Sequence, residues 1–175
     1  MPEADRAGAT AGGDVKAQRP RTLARVAAVQ ALYQSEQNGE SAETVIDQFI
    51  RHRIGAMAGK LGFEDGRVPD AYAPLFARIV RTATEQQDAI DPMIASVLPE
   101  TWPMMRLDPV LRALLRAAGA ELWMSDGPPA RVVINEYLDV AHGFLQEDAV
   151  QLGNAVLDRI ARSLRPGEFA DPVAV

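Results

Sequence analysis

Two histidines, His52 and His142, lie ninety residues apart, and the chain contains no cysteine. That spacing gives no HExxH helix and no paired-imidazole metal site. The missing thiols remove disulfides, thiolate nucleophiles and thiolate metal ligands together. There is no Gly-x-Ser-x-Gly elbow, no phosphate loop ending in Gly-Lys-Ser/Thr and no Gly-x-Gly-x-x-Gly turn. His142 lies on an otherwise apolar turn and reads as a partly buried polar neighbour. Asn135-Glu136, set between Ile134 and Tyr137, is the most suggestive polar pair. Acid/base work and hydrogen bonding to a neighbouring helix both suit it, and we read it as structural. The expectation is a protein with no catalytic residues, no metal and no cofactor.

Binding of an anionic polymer finds more support. The 175-residue chain carries a formal net charge of −6, unevenly distributed. Residues 1–14 hold one arginine and three acids, and residues 36–175 hold 13 basic and 21 acidic side chains. Between them Lys16, Arg19, Arg21 and Arg25 form a basic run with no acid. Such a run can follow a phosphate backbone, and arginine also stacks on unpaired bases; a solvated basic tail has the same composition. A second candidate surface is the turn Gly143-Phe144-Leu145-Gln146-Glu147-Asp148. Phe144 could stack on a base and Asp148 accept from a base edge, or Phe144 could be core and Asp148 a helix cap.

The elements that carry these residues are all helical. Hydrophobic residues make up 47% and charged residues 24%, a globular balance, and no apolar run nears the roughly 18 residues that span a bilayer. The N-terminus lacks the basic start and apolar stretch of a secretory signal. Residues 1–18 are expected to form a disordered arm, 19–168 a single helical domain and 169–175 a tail. Thr22 is placed as the cap of a first helix with Leu23, Val26 and Tyr33 on its stripe and Gln30 as the polar exception. Gly39 and Ser41 end that helix and start a second, with Val45, Ile46, Phe49, Ile50 and Ile54 on one face. The glycines of 55–70 mark a loop, and Asp70 starts a third helix facing inward with Leu75, Phe76, Ile79, Val80 and Ala83. Asp91-Pro92 and Asp108-Pro109 each read as a cap before a proline at the first helical position. The fifth helix, broadly apolar from Leu107 to Met124, should be central. A sixth carries Val133, Tyr137, Ala141 and Phe144, and a seventh, over about 148–164, carries Val150, Gly153, Leu157, Ile160 and Leu164. Period-2 alternation is not sustained anywhere. The fold class is all-α, a single-domain bundle of about seven helices.

Four segments then resemble one family. They are Ala28-Val29-Gln30-Ala31-Leu32-Tyr33, Leu111 to Leu115-Arg116 with Glu121-Leu122, Pro129 with Val133-Ile134-Asn135-Glu136, and Asn154-Ala155-Val156-Leu157-Asp158. In this order and spacing, over about residues 20–165, the chain resembles the bacterial transcription antitermination factors of the NusB family. The resemblance implies a cytoplasmic all-helical protein that pairs with the small-subunit ribosomal protein NusE. It also implies binding to the boxA RNA of ribosomal RNA leaders, within the transcription elongation complex. Its RNA-binding residues would be Arg19, Arg21, Arg25, Phe144, Asp148 and Asn154, joined by Lys16 from the basic run, and its partner-binding residues Tyr33, Arg112 and Arg116.

The chain also departs from the pattern. Thr22 and Leu23 stand where arginines are common, and Leu152-Gly153-Asn154-Ala155 lacks the usual aromatic before Val-Asn-Gly. Two other readings stay open: a helical protein-interaction module without RNA binding, and the detached RNA-binding domain of an RNA cytosine methyltransferase. The latter would need a following domain with a cysteine nucleophile. Monomer and homodimer are both compatible with Trp102, Met104, Met105 and Trp123.

Overall fold

The computed structural model describes residues 11–54, 68 and 70–171, with side chains from residue 19 onward. Most of the glycine-rich loop expected over 55–70 and the first ten residues of the expected arm therefore lie outside the described residues, as does the Lys16 side chain. Seven α-helices follow one another among the described residues: α1 (Ala11–Asn38), α2 (Ala42–His52), α3 (Ala73–Glu85), α4 (Gln87–Val97), α5 (Pro109–Trp123), α6 (Ala130–Phe144) and α7 (Glu147–Leu164). Two single 3-10 turns, Met104–Arg106 and Pro166–Glu168, precede α5 and follow α7. No described residue is in a strand.

The expected helix signals act in most places. Gly39, at φ +67°, takes the left-handed turn that ends α1, and the Glu40 N–H returns to the Ser35 carbonyl at 3.2 Å. Ser41 then caps α2 by accepting from the Thr44 N–H. Asp108 accepts from the Val110 N–H at 2.8 Å, with Pro109 opening α5.

Three starts and two stripes differ. α1 begins at Ala11 rather than Thr22 and continues through Pro20. Its buried face is dominated by Ala24, Ala27, Ala28 and Ala31 with Val29 and Leu32, so Val26 and Gln30 are half-buried and Tyr33 is exposed. Alanines let α1 lie close against α5, and that favours them over the larger stripe. Ile50 is exposed although Val45, Ile46 and Phe49 are buried. α3 starts at Ala73, three residues after Asp70. α4 starts at Gln87 and contains Pro92, because Asp91 is used by a buried arginine instead of as a cap.

α5 is the centre, packed against α1, α3, α4, α6 and α7, and every residue from Leu111 to Leu122 is buried. Gly119 allows its contact with α4: a Cβ there would stand 2.9 Å from Ile90 Cγ2. Phe49 stacks on Phe76 at 5.4 Å and ties α2 to α3. The turn from α5 to α6 is closed by Arg165, whose guanidinium donates to the carbonyls of Glu121, Leu122, Met124 and Pro128. Glu168, beside Arg165, accepts from the Ala130 N–H at the start of α6.

Candidate nucleic-acid interface

The basic run splits as soon as it enters the fold. Arg25 is only 3% exposed, and its Nε donates to both Glu121 oxygens, closest to Oε2 at 2.9 Å. Its Nη1 donates to Glu136 Oε2 at 3.0 Å, Thr22 Oγ1 donates to the same oxygen, and the buried Tyr137 hydroxyl donates to Glu121. Burial alone would lower the pKa of Arg25, but the hydrogen bond and charge of Glu121 outweigh it and the value is raised. Burial, reinforced by Glu121, pushes the Tyr137 phenol well up. The expected RNA contact at Arg25 is therefore corrected: a guanidinium committed to two carboxylates inside the core cannot follow a phosphate. The structural reading of Glu136 holds.

Arg112 and Arg116 are corrected in the same way. They were expected on a partner surface, yet both are buried, one turn apart on the inner side of α5. Glu36 of α1 accepts from both, and Asp91 of α4 accepts two bonds from Arg116 at 2.9 Å. Arg112 also donates to the carbonyls of Met104 and Leu107. This chain of charges bolts α1, α4 and the connection before α5 to the central helix. The Arg112 hydrogen bond is the main reason that the Glu36 carboxyl sits below the usual range, with burial opposing and Arg116 assisting.

Arg19, Arg21, Tyr33, Phe144, Asp148 and Asn154 remain at the surface. Arg21 is exposed, with its guanidinium carbon over the Tyr72 ring at 5.7 Å from the centroid. Tyr33 and Phe144 are 40% and 46% exposed and line one open groove of about 500 Å³ between α1, the start of α5 and the end of α6. Asp148 is exposed in the first turn of α7, its Oδ1 at 2.9 Å from the Ala149 N–H, so it serves the helix start and faces solvent together. Asn154 is not in that groove. It lines a separate depression of about 220 Å³ with Arg131, Asn135 and Phe169. His142 is exposed on the outer side of α6 rather than partly buried. Among the described residues no three acidic or imidazole side chains gather as metal ligands.

A family model described as the NusB family matches residues 22–162. The chain belongs to the NusB family. Among NusB relatives, a transcription antitermination protein NusB of Granulibacter bethesdensis is 64% identical over 152 residues, covering 87% of this chain and 93% of that protein. One of Gluconobacter oxydans is 54% identical, with 85% and 91% covered. The solved NusB of T. maritima superposes with a TM-score of 0.67 at 28% identity, over 86% of this chain and 96% of that one. A chain from a crystal structure of antitermination factors NusB and NusE in complex with dsRNA shares the fold, with a TM-score of 0.65 at 23% identity, covering 83% and 98%.

Within this NusB fold the sequence missed the acids that hold the arginines, Glu36, Asp91 and Glu121. The signal was present but ambiguous. Arg112 and Arg116 at i, i+4 on an otherwise apolar helix demand buried counter-charges, while nothing in the sequence says which acids supply them. Arg53 and Gln34, which line the groove, were also missed.

Proposed function

We propose that the protein is a cytoplasmic transcription antitermination factor that binds boxA RNA of ribosomal RNA leaders jointly with ribosomal protein NusE. Assembled on the elongation complex, it helps RNA polymerase read through terminators. Membership of the NusB family, over nearly the full length of its relatives, carries this reading. The surface agrees with it: exposed Arg19 and Arg21 on α1 supply phosphate contacts. Phe144 offers a ring to an unpaired base, and Asp148 and Asn154 offer polar edges along α7. Lys16 belongs to the same basic run. Tyr33 is the partner-facing residue, with Arg112 and Arg116 holding from within the helices behind it.

A mobility-shift titration with boxA-bearing RNA, with and without NusE, tests the proposal. Tighter binding with NusE than without, and weaker binding to a scrambled RNA, is the expected result. Equal affinity for both RNAs would favour a helical interaction module that takes no specific RNA.

A further inference from the structure

Asn135 and Glu136 are adjacent in sequence, and the fold gives them different tasks. Glu136 turns to α1 and accepts from Thr22 and Arg25. Asn135, about 100° around the helix, is exposed and makes no hydrogen bond among the described residues. It lines the depression of about 220 Å³ together with Asn154, Arg131, Asp158 and Phe169. The charges there do not cancel. Asp158 is taken by Arg162, whose Nε donates to it at 2.9 Å. Arg131 has no carboxylate partner among the described residues; its guanidinium carbon stands over the Phe169 ring at 5.4 Å, and that of Arg162 over the same ring at 4.7 Å. Stacking on a ring restrains a guanidinium without neutralising it. The depression thus presents one uncompensated cation beside two unused carboxamides.

We propose that this depression is a further RNA contact, in which Arg131 holds a backbone phosphate and Asn135 and Asn154 hydrogen-bond the attached nucleotide. The inference rests on the RNA-binding function proposed above, which already sets Asn154 on the RNA surface, and it extends that surface along α6. The chemistry is complementary. A guanidinium forks onto two phosphate oxygens, and a carboxamide offers a donor beside an acceptor to a base edge or a ribose 2′-hydroxyl. A protein partner fits less well, because interface hot spots sit in desolvated, well-packed pockets, whereas Arg131, Asn135 and Asn154 are all exposed. Arg131 and Phe144 stand at opposite ends of α6, about 20 Å apart by the helical rise. A strand stacked on Phe144 therefore reaches the depression a few nucleotides further on.

The test uses the full chain with NusE and a boxA-bearing single-stranded RNA, shortened stepwise from each end. On the longest RNA, Arg131→Ala should weaken binding about threefold to tenfold and flatten the log–log salt dependence by about 0.7, the share of one phosphate contact. Asn135→Ala should weaken it about threefold, and Asn135→Asp more, because it sets a negative charge beside the phosphate. Trimming one end of the RNA should abolish these losses, while Phe144→Ala still weakens binding of the shortened RNA. Asn135 is exposed and unbonded, so its variants should keep the parent's unfolding midpoint, and they decide the matter even if Arg131→Ala loosens the Phe169 contact. Unchanged affinity in Asn135→Asp, or a loss that persists on every shortened RNA, would overturn the assignment while leaving RNA binding itself standing. So would weaker binding of NusE by these variants in the absence of RNA, since the depression would then be a protein site. If the unmodified protein bound none of the RNAs, the functional proposal would fall, and this assignment with it.

Discussion

Arg25 and Glu121 stand 96 positions apart and meet inside the helical bundle, Nη2 to Oε1 at 2.5 Å and Nε to Oε2 at 2.9 Å. The pair joins α1 to α5, and Glu136 extends it to α6. Removing one partner leaves the other charged and desolvated, at a cost of about 3–5 kcal/mol. Arg25→Ala should therefore lower stability by about that amount in urea unfolding, while Arg21→Ala, at an exposed position, should change it by less than about 0.5 kcal/mol. Equal, small effects of both changes would show that the core pair does not hold the helices together.

The exposed arginines carry the electrostatic prediction. If Arg19 and Arg21 each neutralise one phosphate of single-stranded RNA, the double alanine variant should bind more weakly. Its log–log salt dependence should be flatter by about 1.4, at roughly 0.7 per contact. Preference for boxA over a scrambled sequence should persist, because phosphate contacts position the RNA and base contacts specify it. A slope equal to that of the unchanged protein would make this part of α1 a solvated surface.

Much of this was legible in the sequence, and the failures have a common physical origin. Asp108-Pro109, Gly39 and Ser41 are local signals, satisfied by neighbours within a turn, so they predicted α5 and the α1–α2 junction well. Asp91-Pro92 carries the same local signal, yet Arg116 from a distant helix took the carboxylate. Arg25, Arg112 and Arg116 look like surface charges in a linear reading because their partners, Glu121, Glu36 and Asp91, are remote in sequence. Phe144 was readable as either core or contact, and only its position at the exposed end of α6 separates the two. Gln30 was visible as an exception, but that its Oε1 is buried without a hydrogen-bond partner depends on tertiary packing that no local pattern encodes.

Glu36 sets a pH dependence. Its folded-state pKa is lowered, chiefly by the Arg112 hydrogen bond, from an ordinary value of 4.5. Its contribution is thus fully present above that value and is lost as pH falls through the lower folded value. Glu36→Gln should destabilise the protein at neutral pH by about 3 kcal/mol, since Arg112 and Arg116 lose a shared counter-charge. The gap in melting temperature between variant and parent should narrow as pH is taken below 4.5. A gap constant from pH 7 down to pH 3 would mean the carboxylate charge is not what matters. Arg116→Glu should unfold the domain for the same reason, and so cannot serve as a probe of the partner surface.

Phe144 and Asp148 separate base contact from charge at the α6–α7 turn. Phe144 is half-exposed at the end of α6, so Phe144→Ala removes little core and should leave the unfolding midpoint nearly unchanged. If the ring stacks on a base, the same variant should bind single-stranded boxA RNA about tenfold more weakly, since one base–aromatic contact contributes about 1–3 kcal/mol. Asp148→Asn acts in the opposite direction. It removes a negative charge beside the phosphate backbone, so RNA binding should stay equal or tighten. Its loss from the first turn of α7 should cost about 0.3–1 kcal/mol of stability, because a carboxylate favours a helix N-terminus. Measured together by titration and thermal unfolding, the two variants should move affinity in opposite senses or leave Asp148→Asn flat. If Asp148→Asn weakened binding as much as Phe144→Ala, the carboxylate would be accepting from a base edge, and the turn would be reading sequence through both residues.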